Sequence, residues 1–285
     1  MSAQVLDGKI LAAKIKDSLR SEVEKLKKEF NKVPTMVNIV IGDDHGTCAY
    51  AKSQEKVAEY IGINYELKTV TEDVGQEQLE ALVRDLNSDA DVNGILIHKP
   101  VPEHIDYGSV ANHIDIIKDL EGINIANIGK MVLGETKIVP CTPASIMEHI
   151  KSTGVNMRGK EAVIVGSSSI VGKPLCLLLL REFATVTVCH IGTSEAGKLE
   201  EHVKNADILI VAVGIASLIK GDLIKEGAIV IDVGINRSDN GIVGDVEYAV
   251  AKEKASYITP VPGGVGPVTV VMLMKNAIEA FKAQL

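Results

Sequence analysis

Apolar residues recur at helical spacing over residues 9–30, where Ile10, Leu11, Ile15, Leu19, Val23 and Leu26 are separated by Lys and Glu. Val37 to Ile41 is β-rich and stops at Gly42-Asp43-Asp44. Residues 48–61 predict a second amphipathic helix closed by Gly62, and residues 76–88 a third. Gly94 to Ile97 predicts a buried strand running into His98-Lys99-Pro100-Val101-Pro102. Strand, helix, strand, helix in this order predicts a parallel α/β sheet.

The pattern restarts near residue 140, after Pro140-Cys-Thr-Pro143. Pro143 suits the first turn of a helix over 143–152, with Thr142 as its N-cap. Strands follow at 162–165, 185–190, 208–213 and 228–232, with helices at 172–180 and 195–205. This rhythm predicts a Rossmann-like, doubly wound parallel sheet. The length of 285 residues also favours two α/β domains. We place them at 1–140 and 141–267, with a closing helix at about 268–284 packing back on the first.

Composition narrows the function. With 46% hydrophobic and 24% charged residues the chain is ordinary globular protein. A net charge of -8, with 3% aromatics and no Trp, disfavours nucleic acid as a partner. Cys48, Cys141, Cys176 and Cys189 lie far apart, which predicts reduced thiols in a cytoplasmic protein and no metal site. The longest apolar run, Ile208 to Ile219, is shorter than the ~20 residues of a membrane helix.

Five stretches carry candidate chemistry. In Val163-Ile-Val-Gly-Ser-Ser-Ser-Ile-Val-Gly-Lys-Pro174 a strand turns into a helix, where backbone N–H groups favour a pyrophosphate. It departs from Gly-x-Gly-x-x-Gly: Ser168 stands at the second Gly, and Gly172 comes one residue late. At the next strand end, Val188-Cys-His-Ile-Gly-Thr193 shows neither an acid for the ribose of NAD nor a cation for the phosphate of NADP. Ser167 is uncharged as well, so the choice tilts toward NAD. Tyr50 and Gln54, four residues apart, share a helix face. His98 lies where a strand meets the C-terminal sheet edge, and Lys118-Asp-Leu-Glu-Gly122 is an acidic, Gly-terminated turn. Finally, Tyr257-Ile-Thr-Pro-Val-Pro-Gly-Gly-Val-Gly-Pro-Val-Thr269 is stiff and nearly uncharged, suited to a flat ligand lying on bare backbone.

Together these segments resemble the methylenetetrahydrofolate dehydrogenase/methenyltetrahydrofolate cyclohydrolase family. The match includes Leu6-Asp-Gly-Lys9, Gly42-Asp-Asp44, Pro140-Cys-Thr-Pro143, Val230-Ile-Asp-Val-Gly-Ile-Asn236, Gly244-Asp-Val246 and the Pro/Gly segment. The resemblance implies a cytoplasmic homodimer whose catalytic domain shares a cleft with a Rossmann domain. Its substrate would be a folate whose methylene carbon gives a hydride to NAD(P), followed by hydrolysis of the methenyl cation. It implies folate contacts at Tyr50, Gln54, Pro100, Glu121, Pro262, Gly263 and Gly264. For the dinucleotide it implies Thr142, Gly166, Ser167, Ser168, Ile170, Val171, His190, Ile191, Gly192, Thr193, Val213, Gly214, Asp232, Gly234, Ile235 and Thr269.

The chain departs from the family where the catalytic groups sit. The family has Lys four residues after the Tyr; here it is Gln54. The family has Gln before Leu-Pro-Leu-Pro; here it is His98, followed by Lys99. The second acid of Asp-Val-Asp-Gly is here Glu121. Lys52 and Lys56 lie about 200° around the helix from Gln54 and do not replace the lost amine. Tyr50, Gln54, His98 and Glu121 therefore form the expected catalytic set. It points to a dehydrogenase with weak or lost cyclohydrolase activity. The alternatives are a bifunctional enzyme with His98 as base, a relative acting on another C1 carrier, or a non-catalytic binding protein.

Overall fold

The computed structural model describes residues 2–239 and 241–285. The elements run β1 (Gln4–Val5), α1 (Gly8–Phe30), β2 (Thr35–Ile41), α2 (His45–Ile61), β3 (Asn64–Val70), α3 (Gln76–Ser88), β4 (Gly94–Ile97), α4 (Tyr107–His113), α5 (Ile125–Leu133) and α6 (Cys141–Ser152). They continue as β5 (Glu161–Val165), α7 (Gly172–Arg181), β6 (Thr185–Cys189), α8 (Ile191–Glu195), α9 (Leu199–Asn205), β7 (Ile208–Val211), β8 (Ile229–Asp232), β9 (Asn236–Ser238), β10 (Gly241–Val243), α10 (Tyr248–Lys254), β11 (Tyr257–Ile258) and α11 (Val265–Lys282). The chain divides into two compact units, one of residues 1–13 and 142–269, the other of residues 14–141 and 270–285.

The unit holding residues 14–141 is built on a parallel sheet ordered β3-β2-β4. Successive side chains of β2 point to opposite faces. Val37, Ile39 and Ile41 face one way and pack with Leu79 and Val83 of α3 and Val110 of α4. Met36, Asn38 and Val40 face the other way, toward α2. Tyr65 fixes that assignment, because it pairs with Met36 and its hydroxyl reaches Gln54 of α2. Residues 118–120 run parallel beside β4 through a bridge between Ile95 and Asp119.

The other unit carries a six-stranded parallel sheet ordered β1-β11-β8-β7-β5-β6. Its central strands are continuous apolar runs, as expected for a sheet covered on both faces. This is the doubly wound α/β architecture that the second half of the sequence predicts.

Several expectations need correction. β3 was not predicted, because its sequence Asn-Tyr-Glu-Leu-Lys-Thr-Val is an exposed edge with little apolar signal. The helix expected over 195–205 starts later, as α9 at Leu199, and a short unpredicted helix, α8, precedes it. α2 begins at His45, because Asp44 accepts from the Thr47 N–H (2.7 Å) and Thr47 hydroxyl (2.8 Å). α6 begins at Cys141, which puts Thr142 inside the first turn rather than at the cap. α11 begins at Val265, so Pro267 occupies a first helical turn, where its missing N–H costs nothing.

One polar residue anchors the sheet to its flanking helix. The Lys118 ammonium is buried and donates to the carbonyls of Leu86 (3.1 Å), Asn87 (2.8 Å) and Asp89 (2.7 Å). These close the C-terminal end of α3, where a cation offsets the unpaired carbonyls and the helix dipole. Lys118→Met leaves these acceptors in an apolar setting. It is expected to lower unfolding free energy by about 2–4 kcal/mol, seen as a lower urea midpoint and faster amide exchange in α3. An unchanged midpoint would show that the cap contributes nothing.

Candidate functional site

In the unit of residues 14–141, α2 and the end of β4 bring Tyr50, Gln54 and His98 of the expected catalytic set into one cluster. Gln54 is 1% exposed, and its Oε1 accepts from the Tyr65 hydroxyl (3.2 Å). Its amide also hydrogen-bonds the Tyr50 phenol. The Tyr50 ring meets the His98 ring edge-on, with centroids 5.9 Å apart and planes at 86°. Lys52 and Lys56 are exposed on the opposite face of α2.

Burial decides the charge of His98. The ring is 5% exposed, and desolvation pushes its pKa down to about 4. His98 is therefore neutral at physiological pH. Burial likewise raises the Tyr50 and Tyr65 phenols.

Glu121 sits in a second group. Its Oε2 accepts a short hydrogen bond from the Tyr107 hydroxyl (2.5 Å). The Lys99 ammonium stands 3.7 Å from the Tyr107 ring centroid. Burial pushes the Glu121 carboxyl up, while Tyr107 and the Lys99 charge pull it down. Neighbouring Asp119 faces inward instead, accepting from Gly122 N (3.0 Å), Asn124 N (2.8 Å) and Asn127 Nδ2 (2.9 Å). Asp119 thus shapes the turn that presents Glu121. Pro100 follows Lys99 through a cis peptide bond and is exposed.

In the other unit the loops after β5, β6, β7 and β8 lie at the C-terminal sheet edge. Gly166 adopts φ +126°, and a Cβ there would lie 2.3 Å from the Ala212 carbonyl oxygen. A Cβ on Gly172 would lie 2.0 Å from the Gly166 carbonyl oxygen. These two glycines let strand, turn and helix close tightly, and the Ser168 hydroxyl accepts from Val171 N (3.1 Å). His190 caps α8, its Nδ1 accepting from Gly192 N (3.1 Å), while Thr193 accepts from His190 N (3.2 Å). Ile170, Ile191, Ile215 and Ile235 are 46%, 74%, 55% and 70% exposed, one on each of these loops. Four bare isoleucines along one sheet edge suit a flat, partly apolar ligand. Gly214 adds open space, with nothing within 4 Å of the position its Cβ would take. These features fit a dinucleotide.

Asp232, expected among the dinucleotide contacts, also organises the loops around it. It is 2% exposed, and its oxygens accept from Gly234 N (3.0 Å), Asp245 N (2.9 Å) and Val246 N (2.9 Å). Burial pushes it up to about 6 despite these donors. Asp245 in turn accepts from Val213 N (2.7 Å), Gly214 N (2.9 Å), Ile215 N (2.9 Å) and Asn236 Nδ2 (2.8 Å). The two carboxylates hold the expected cofactor loops in place from below. The Pro/Gly segment is fixed in the same unit: Thr259 Oγ1 accepts from Asp232 N (2.8 Å), and Gly8 N donates to the Gly263 carbonyl (2.9 Å). A Cβ on Gly8 would lie 1.7 Å from the Gly264 oxygen, so only Gly fits. Pro262 is exposed, and Thr269 lies on α11, where its hydroxyl donates to the Val265 carbonyl (3.1 Å).

Comparison with known proteins decides the family. The family models for tetrahydrofolate dehydrogenase/cyclohydrolase match twice, the catalytic domain over residues 6–121 and the NAD(P)-binding domain over residues 140–285. The chain belongs to the tetrahydrofolate dehydrogenase/cyclohydrolase family. It is 48% identical to the bifunctional protein FolD of Bacillus pumilus, over 100% of both chains. It is 49% identical to the FolD of Acetivibrio thermocellus, over 100% of this chain and 99% of the other. Among solved structures, the Campylobacter jejuni bifunctional enzyme FolD superposes with a TM-score of 0.95 at 42% identity, covering 100% of each chain. The Trypanosoma brucei FolD, complexed with NADP cofactor and inhibitor, gives 0.92 at 36% identity, covering 99% of this chain and 98% of that one. Family membership makes the chain an NAD(P)-dependent oxidoreductase of folate one-carbon metabolism. No helix among the described residues is long and apolar enough to cross a membrane.

Sequence reasoning missed Tyr65, Tyr107, Ile215 and Asp245 as parts of these sites. Tyr65 lies on the unpredicted strand and Tyr107 on the unpredicted α4. Asp245 stood inside a quoted motif, but its buried position was not visible from spacing.

The His98 shift has a measurable consequence. An unfolded histidine takes its proton near 6.5, whereas folded His98 stays neutral to about 4. Between these values the unfolded state binds more protons, so stability falls as pH falls through that window. His98→Gln removes this term. Relative to wild type, it should gain about 2 kcal/mol of unfolding free energy on going from pH 7 to pH 5, measured by urea denaturation. Equal slopes in both proteins would show that His98 is not held neutral.

Proposed function

We propose that this chain is a methylenetetrahydrofolate dehydrogenase that transfers hydride from 5,10-methylenetetrahydrofolate to NAD(P)+, with cyclohydrolase activity weak or lost. The observation that carries this reading is the buried, neutral Gln54 amide, held by Tyr65 and Tyr50 where the family has an ammonium. The nicotinamide, when bound, supplies the hydride acceptor. The protein's own task in that step is orientation, since removal of hydride leaves a cation on the folate. Neutral Gln54, Tyr50 and His98 do not oppose that charge. Glu121, pinned by Tyr107, is suited to hydrogen-bond the pterin N–H groups.

Hydrolysis of the methenyl cation asks for more. A water must lose a proton, and general-base assistance is worth roughly 10²–10⁴-fold. Gln54 cannot accept one. His98, with its pKa held down to about 4, is a weak base at neutral pH. Supporting NAD over NADP, no Lys or Arg occurs among residues 166–171 or 190–193. We further assign residues 1–140 to the folate-binding domain, apart from residues 1–13, whose β1 joins the sheet of the other unit, and 141–267 to the cofactor domain, in a cytoplasmic homodimer.

The test mixes the protein with methylenetetrahydrofolate and NAD or NADP and follows reduced nicotinamide and methenyl product together. Methenyltetrahydrofolate is expected to accumulate in step with reduced nicotinamide. Gln54→Lys should then drain it, raising hydrolysis about 10²-fold. Wild-type hydrolysis that keeps pace with reduction would overturn the weak-cyclohydrolase reading, and no reduction with either cofactor would overturn the dehydrogenase itself.

A further inference from the structure

On the sheet face covered by α2, two buried polar side chains have no hydrogen-bond partner in the protein. Asn38 is 0% exposed, and both its Oδ1 and Nδ2 are unbonded. His98 is 5% exposed, and its Nε2 is sealed off and unbonded. The two belong together. Asn38 on β2 pairs in register with Leu96 on β4, and His98 is two residues beyond Leu96. The His98 N–H donates to the Ile39 carbonyl (2.9 Å), which continues the ladder by one step. Asn38 and His98 therefore lie diagonally across adjacent strands on one face, with Cα atoms roughly 7–8 Å apart. The obvious polar neighbour on α2 is already engaged, since Gln54 bonds Tyr65 and Tyr50.

Buried polar groups are satisfied almost without exception, and where protein partners are absent an internal water supplies the bond. Asn38 and His98 together offer three buried, unbonded polar atoms, and a bridging water needs two to four such partners. Of the two ring nitrogens only Nε2 is both sealed in and unbonded, and the ring meets that of Tyr50 edge-on.

We propose that one internal water links His98 Nε2 to the Asn38 side chain, and that Asn38 is the positioning residue that fixes the tautomer of His98. In this arrangement Nε2–H donates to the water, the water donates to Asn38 Oδ1, and Nδ1 keeps its lone pair toward the site. His98 then acts as a fixed acceptor rather than a rotating donor-acceptor. This deepens the reading of the site given above, yet it is tested on the free protein, so its failure is separable from failure of the dehydrogenase assay.

The test is nitrogen-15 NMR of histidine-labelled protein, with the His98 signals assigned by their loss in His98→Gln. Wild type should show one protonated nitrogen, Nε2, and one unprotonated nitrogen, Nδ1. Asn38→Leu, close to the same volume but apolar, should collapse this pair toward a tautomer average. Asn38→Thr, whose hydroxyl can bind the same water, should restore it. A high-resolution crystal structure should place one water within hydrogen-bond reach of both Nε2 and Asn38. The proposal is overturned if wild-type His98 is already a tautomer mixture, if it is protonated on Nδ1, if Asn38→Leu leaves the signals unchanged, or if the space holds no water.

Discussion

Burial behind α2 keeps His98 uncharged and obliges every polar atom around it to find a neutral partner. Taking an ion out of water costs several kcal/mol unless a partner returns it, so an unpaired buried imidazole sheds its proton instead. His98 shows the outcome directly, with a pKa near 4 set by desolvation alone. Gln54 follows the same rule by composition rather than titration. Its amide donates and accepts without carrying charge, so it can sit at 1% exposure between Tyr50 and Tyr65.

The carboxylates of the other unit meet the same constraint with backbone donors. Asp232 and Asp245 between them accept from six backbone N–H groups and one side-chain amide. Such bonds favour the charged form, yet burial still leaves Asp232 raised to about 6. What these groups provide is geometry. They fix the segments at 213–215 and 234–236, and so aim Ile215 and Ile235 outward from the sheet edge. Glu121 lies between the two cases: burial raises its pKa, while a phenol bonded to Oε2 and a nearby ammonium oppose that rise.

Much of this was legible in the sequence, for identifiable reasons. The strands of the Rossmann-like sheet are buried on both faces, so they read as plain apolar runs. The turn at Gly166 and Gly172 was legible because only glycine allows those close approaches. β3 was not, because an edge strand with Glu66 and Lys68 outward carries almost no apolar period. α8 was not legible because its short run follows directly on a strand end, and α9 begins only after Gly197 at φ +68°. Asn38 was invisible for a different reason. Within an apolar run a single Asn looks like noise, and only the structure shows that it is fully buried beside a histidine in the same state. Asp232 was legible as important, but its hold on the loop was not, since spacing cannot show which backbone N–H groups a carboxylate accepts from.

The substitutions at Gln54, His98 and Lys99 are best understood as one change in where charge resides. An ammonium at position 54 would occupy a site 1% exposed, flanked by phenols that burial keeps protonated, with no carboxylate bonded there. Such a charge would be stable only if ligand or rearranged neighbours supplied the compensation. Here the cation stands instead at Lys99, exposed, over the Tyr107 ring and within the field of Glu121, where solvent and a carboxylate both support it. Moving the charge from the buried wall to the rim relieves the desolvation cost at 54 and leaves the wall neutral. A neutral wall still orients a substrate and tolerates the cation that hydride loss creates. On the proposed reading it lacks the strong base that hydrolysis of that cation requires, so the same relocation that eases burial would separate the two chemistries the family joins.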